Sequence, residues 1–272
     1  MPVPSRWQKR LMSPEADGSS SGVPGDSAGV PWEGRQFEPN THSADTGAAD
    51  PALLAALQAR RGKGRDSIAI IESYRAARVL IPLVAQKGEE GVAPNGLRVD
   101  KTQELSIVTV SAPDGRTVMP VFTSVETMKS WDAVARPVPA DGRRTAVAAV
   151  TEQTDLIVID PGSPTEYVLR RPAVWALAHE ERWEPSFRSS EVFSGIEESI
   201  STEMSVIDFA VADGDPEGRL RGPELIVRLD LAAGLAQEQL DAVLTRLARR
   251  WAADDRIATL VDSLQVTLRA SS

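Results

Sequence analysis

Residues 118–131, VMPVFTSVETMKSW, constrain the fold more than any other stretch of the chain. The apolar run from Val118 to Phe122 has the length of a buried strand. It breaks at Thr123 and restarts as a short helix in which Val125, Met128 and Trp131 share a side. Thr123-Ser124-Val125-Glu126 fits a capping box: the Thr123 hydroxyl accepts from the Glu126 backbone N–H while the Glu126 carboxylate reaches back. Ser124 follows a strand and opens a helix, the position of a nucleophile elbow. No G-x-S-x-G surrounds it, so it is read as part of the cap.

The rest of the chain narrows what such an element can serve. A length of 272 residues suggests one large or two modest domains. Charged residues make up 25% and apolar ones 42%, a mix able to bury a real core. The net charge of −9 repels a phosphate backbone and argues against a nucleic-acid partner. There is no cysteine, which excludes thiolate nucleophiles, disulfides and iron–sulfur clusters and suits a reducing cytoplasm. No apolar window is long enough to span a membrane, and the basic residues near the N-terminus are followed by no apolar segment of a secretory signal. Arg outnumbers Lys and Ala is abundant, the bias of a GC-rich bacterial genome.

Residues 1–48 are dense in Pro, Gly, Ser and Asp and bury too little apolar surface to offset chain ordering, so a disordered arm is expected. Trp7, Trp32 and Phe37 stand alone within it, either incidental or parts of a docking motif that folds onto this protein or a partner. His42 has no ligand-like neighbours.

Residues 49–181 read as a mixed-sheet domain of α+β or α/β type. Asp50-Pro51 and Asp66 open two helices. Residues 79–85 form a strand that Pro82 confines to an edge or a bulge. Residues 104–111 and 116–122 pair as a hairpin around Asp114-Gly115. A helix follows over residues 143–152, then a central strand, DLIVI, over 155–159 that runs into the turn Asp160-Pro161-Gly162. A short strand at 166–169 and a helix from Pro172 complete the domain.

Residues 190–272 read as a small α+β domain with a three-stranded sheet under one long helix. Val192, Ile196 and Ile200 mark a helix, and Ile207, Phe209 and Val211 one face of a strand. Leu225, Val227, Leu229 and Leu231 mark a second strand, and Leu264, Val266 and Leu268 a third. Leu240, Leu244, Leu247 and Trp251 stripe the long helix, residues 237–253. The outer sheet face carries Arg228, Asp230, Gln265, Thr267 and Arg269, which suit either solvent or a partner or self-association surface.

The segments VLIPL, MPVFTSVETMKSW, TAVAAV, LIVIDPGSP and LRRPAVWALA occur in this order between about residues 53 and 178. Together they resemble the N-terminal domain of the SseB family, in its actinobacterial form. The resemblance implies an SseB-type C-terminal domain over residues 190–272. The family name records a bacterial serine-sensitivity phenotype, so the resemblance hints at an amino-acid ligand and brings no catalytic residue with it.

The residues themselves offer little chemistry. His179 is the only histidine in the folded part and has no second histidine at zinc-binding spacing, so no metal site is expected. Neither phosphate-binding glycine pattern is present and no cofactor is called for. Asp160 leaves the carboxyl end of an apolar strand, where open sheets collect ligands, although Asp-Pro-Gly is also an ordinary turn. Trp131 and Trp175 are expected in the core, and exposure of either would mark an interaction surface.

Three readings follow. The first is a non-catalytic binding or interaction protein with an unknown protein partner. The second is a sensor of a small polar ligand bound near Thr123, Ser124, Glu126 and Asp160. The third is a hydrolase or transferase using carboxylates among Glu126, Asp155 and Asp160. Ligand, partner and oligomeric state are not encoded in any motif.

Overall fold

The computed structural model describes residues 7–11, 45–59, 64–85, 91–92, 98–99, 105–154 and 156–270. In chain order the elements are β1 (Gln8–Leu11), α1 (Pro51–Gln58), α2 (Ser67–Ala76), β2 (Arg78–Ala85), β3 (Gly91–Val92), β4 (Arg98–Val99), β5 (Leu105–Ser111) and β6 (Thr117–Val121). They continue with α3 (Val125–Trp131), β7 (Arg136–Asp141), α4 (Gly142–Thr151), β8 (Leu156–Ile159), β9 (Tyr167–Leu169) and α5 (Arg171–Ala178). The second unit holds α6 (Ser190–Ile200), β10 (Val206–Asp213), β11 (Leu225–Leu231), α7 (Gln237–Ala253), α8 (Asp255–Leu260) and β12 (Leu264–Ala270). This is the α+β mixture expected, with a mixed sheet in the first unit and a three-stranded sheet in the second.

The first sheet runs β7-β2-β5-β6-β8-β9, with β1 added beside β5. Its pairs are antiparallel except β6–β8, which is parallel and therefore needs a crossover, supplied by α3, β7 and α4. Alternation along β6 and β8 sends Met119, Val121, Ile157 and Ile159 into one core and Val118, Leu156 and Val158 into another on the opposite face. Both faces are buried, which explains why these strands read as unbroken apolar runs. The first core is closed by α1, α2, α4 and α5 through residues such as Leu53, Ile71, Ala146 and Leu177.

Local chemistry sets the element ends. The Asp50 carboxylate accepts from the N–H groups of Ala52 and Leu53, and Asp66 from Ala69, as their cap positions predict. Gly142 starts α4 because a Cβ there would lie 1.9 Å from the Tyr74 carbonyl oxygen.

Several expectations are corrected. The helix cap sits one residue later than expected. Ser124 is the N-cap of α3 and exchanges bonds with Thr127, not Thr123 with Glu126. β2 is not an edge strand. It lies between β7 and β5, and Pro82 falls between the Leu80–Phe122 bridge and the β5 ladder that begins at Leu83, where no N–H is required on that side. The arm is not disordered throughout. Gln8–Leu11 pairs with β5 in antiparallel register, and Trp7 is buried against Val110, Val118 and Leu156. At its other end the Gly47 carbonyl accepts from Val125 N–H. Trp32, Phe37, His42 and Asp155 lie outside the described residues.

In the second unit β11 is central, antiparallel to β10 and parallel to β12. Val192, Ile196, Leu225, Val227, Leu229, Val243, Leu247 and Trp251 form its core. The sheet is covered by the long helix α7 as expected, together with α6 and the short α8. A register shift between Val206 and Asp208 turns Ile207 outward, 60% exposed, and Val206 takes its place against the core with Phe209 and Val211.

Candidate functional site

The corner at residues 118–131 is built around a buried carboxylate. Val121 and Ile159 are partners at the carboxyl ends of the parallel strands β6 and β8, and the next residues are Phe122-Thr123 and Asp160. Asp160 is fully buried and takes the left-handed backbone conformation, φ 47°, which an L-residue adopts at a cost. That turn directs its side chain back across the strands. Asp160 Oδ1 accepts from Thr123 N–H at 2.8 Å, and Oδ2 accepts from the hydroxyls of Thr123 at 2.8 Å and Thr165 at 2.7 Å. The structure therefore brings Thr123 and Asp160 together, with both carboxylate oxygens engaged by the protein itself. Ser124 is beside them as the helix cap, and Glu126 points into solvent on the first turn of α3. A sealed Asp160 and an exposed Glu126 present no shared face for a reaction at two carboxylates.

The following turn carries a second buried carboxylate. Glu166 Oε2 accepts from Gly162 N–H at 2.7 Å and from the Trp7 indole N–H at 2.9 Å. The arm is thus pinned to the loop after β8. A lone Trp in a Pro/Gly-rich arm gives no hint of this partner, 159 residues away.

Charged side chains also join the two units. Arg170, buried at the start of α5, donates to Asp215 at 2.9 Å, Asp262 at 3.0 Å, the Ser263 hydroxyl and the Gly222 carbonyl. Arg116, from the β5–β6 hairpin, donates to both Asp262 oxygens at 2.7 and 3.2 Å. Burial pushes the Asp262 carboxyl up, but the hydrogen bonds from Arg116 and the two guanidinium charges win and hold it below the usual range.

An open cleft of about 530 Å³ runs between α5 and the second unit. Trp175 lies in it, 47% exposed, so its expected place in the core is corrected. Every residue of α5 from Pro172 to Ala178 is apolar, so the sequence gives no polar face by which to orient the helix. His179 caps α5, stacks on the Trp175 ring at 5.4 Å and bonds the Trp175 carbonyl through Nδ1 at 2.9 Å. Glu181, Glu184 and Glu191 line the same cleft with Arg171 and Arg182, and Arg171 is occupied by the carbonyls of Ala258 and Val261. Trp131, half-buried, packs against Phe122 with ring centroids 5.2 Å apart and planes tilted by 44°.

The outer face of the second sheet is assembled as the alternation predicts. Cross-strand register places Arg228 beside Thr267, Asp230 beside Arg269 and Ile226 beside Gln265. Asp230 is buried beneath the ion pairs it makes with Arg228 and Arg269.

Residues 52–176 match the family of the SseB protein N-terminal domain. Comparison with curated proteins finds no match. Comparison with solved structures finds none either. The matched span runs from α1 to α5 and contains the Thr123–Asp160 corner together with Trp175. The SseB protein N-terminal domain match thus covers most of the first folded unit of this chain.

Proposed function

We propose that this SseB-family protein is a non-catalytic binding protein that engages a protein partner through the cleft headed by Trp175. One observation carries the reading. A large aromatic ring is left 47% exposed, held in position by a stacked histidine, in a cleft with room for a side-chain anchor. Half-exposed Trp residues that a neighbouring ring fixes cost little entropy to engage, which suits recognition. The cleft is lined by three glutamates against Arg171 and Arg182, a slight acidic excess that the net charge of −9 extends, which favours a partner segment with an apolar anchor flanked by basic residues. The lack of cysteine in the sequence supports a cytoplasmic setting. Among the described residues no helix is long and apolar enough to cross a membrane.

The reading of Thr123, Ser124, Glu126 and Asp160 as an amino-acid sensor site has less support, because a ligand there would have to displace three protein donors from Asp160. The outer sheet face is the alternative docking surface. Its Asp230 charge is already matched by Arg228 and Arg269, which leaves Gln265 and Thr267 as the polar groups of that set with no partner among the described residues. The test is co-purification with wild type, Trp175→Ala and Thr267→Glu. Loss of one reproducible partner in Trp175→Ala alone supports the α5 cleft. Loss in Thr267→Glu alone moves the surface to the second sheet.

A further inference from the structure

The second sheet ends in two unlike edges, β10 and β12. The β10 edge is blunted. A register shift interrupts it between Val206 and Asp208, and the Phe209 N–H, which faces the open side, is taken by the Asp208 carboxylate at 2.8 Å. The β12 edge has no such device. It pairs with β11 in unbroken register over Leu264–Ala270 and contains no proline, glycine or lysine. We propose that the β12 edge is an interface for a second copy of this chain, joined antiparallel across a two-fold axis at Thr267. The pairing goes beyond the Trp175 reading and stands or falls independently of it.

The direction of the backbone groups follows from one bond. Leu225 N–H donates to the Ser263 carbonyl at 3.0 Å. Bonded residues alternate along a parallel strand, so Gln265, Thr267 and Arg269 also turn their backbone groups toward β11. Leu264, Val266, Leu268 and Ala270 turn theirs outward, and no strand among the described residues pairs with that side. The edge also leaves apolar surface open. Leu268 shares the core face with its fully buried neighbour Leu229, yet is 42% exposed.

The strand complements itself in one register. A two-fold axis at Thr267 sets Leu264 opposite the partner's Ala270 and Val266 opposite the partner's Leu268. Each pair joins residues whose backbone groups face outward, so every outward residue of the strand is bonded. Sliding the partner by two residues loses one bonded pair. Sliding it by one sets outer-face groups against core-face ones. On the outer face Thr267 meets the partner's Thr267, a favourable cross-strand pair, and Gln265 meets the partner's Arg269. No charge faces its like. Arg269 keeps its ion pair with Asp230 of its own chain, while the Gln265 side-chain carbonyl accepts from the partner's guanidinium. On the core face the partner's Val266 covers Leu268. The same patch serves both copies, so the assembly closes at two, and the blunted β10 edges stop the joined sheet from growing.

The test uses the full chain in sedimentation equilibrium over a concentration series. The expected result is an exchange between the monomer of 29.3 kDa and a species of twice that mass. Gln265 is exposed, so its variants keep the fold. Gln265→Glu, opposite the partner's Arg269, should tighten the dimer about fivefold, and Gln265→Arg should weaken it by a similar factor. Thr267→Lys sets two ammonium groups across the axis and should weaken it further, with an unchanged circular dichroism spectrum. Amide exchange at Val266 and Leu268 should slow as the dimer fills, while that at Val211 on the open side of β10 stays the same. The proposal is overturned by a monomer at every concentration up to about 0.5 mM, where even a millimolar affinity would show. Association beyond two copies, or a dimer that both Gln265 variants leave unshifted, overturns it equally.

Discussion

Thr123 holds Asp160 by two bonds of 2.8 Å, one from its backbone N–H and one from its hydroxyl. The pair locks the carboxyl ends of the parallel strands β6 and β8 at the point where the chain leaves for α3. The place in an open sheet where a ligand is expected is filled by the protein's own carboxylate.

Removing that carboxylate acts on stability first. Asp160→Ala leaves the buried Thr123 N–H and hydroxyl without their acceptor. A loss of about 2–4 kcal/mol is expected, since each unsatisfied buried donor costs about 1–3 kcal/mol. Thr123→Val, which removes only the hydroxyl bond, should cost about half as much. Ser124→Ala should cost about 1 kcal/mol as the loss of a helix cap. Urea unfolding of the three variants checks the order. Asp160→Ala at wild-type stability would contradict the architectural role.

Trp7 should anchor the arm measurably. Its ring is 3% exposed and its N–H bonds buried Glu166. Trp7→Ala is expected to cost about 3–5 kcal/mol by cavity formation. Trp7→Phe, which fills most of the space but leaves Glu166 short of one donor, should cost less. Thermal unfolding of both variants measures the difference.

The junction between the units should be pH-sensitive in a defined direction. Asp262 has a folded pKa below its unfolded value, roughly 4. The unfolded chain therefore binds more protons across that window, and stability rises with pH through it. The contribution is fully present above about pH 4 and is lost as the pH falls through the folded value. Asp262→Asn should be markedly less stable than wild type at pH 7, by about 3–5 kcal/mol for a broken buried pair. The gap should narrow in acid.

Glu224 should behave in the opposite sense. Burial raises its folded pKa, so the folded chain binds more protons and stability falls as pH rises above the unfolded value. Glu224→Gln, which keeps the acceptor for Asp262 N–H, should be at least as stable as wild type at pH 7. Denaturant midpoints at pH 5 and pH 7 test the sign.

The readable and unreadable parts of this protein divide by the range of the interaction involved. Helix starts at Asp50 and Asp66 and the hairpin at Asp114-Gly115 are local, and they stand where the residue types require. The residue types point to a cap of α3 at Thr123, one residue before the one observed. The choice fell to Ser124 because Thr123 is taken by Asp160, 37 residues away. The pairing of Arg116 with Asp262 spans 146 residues and leaves no trace in local pattern. Ile207 kept its place in the alternation, and only the bulge in β10 moved it to the surface. Trp175 sits in a helix that is apolar from Pro172 to Ala178, so its exposure was decided by where α5 packs.

The most direct test of the binding account is quantitative co-purification from lysate of the source organism with wild type and Trp175→Ala side by side. The ring is 47% exposed, so the variant should remain folded, with a thermal midpoint close to wild type. The account predicts one basic-segment protein recovered with wild type and depleted about thirtyfold with the variant, the effect of losing a hot-spot residue of about 2 kcal/mol. Identical recovery with both proteins, the variant being folded, would contradict it.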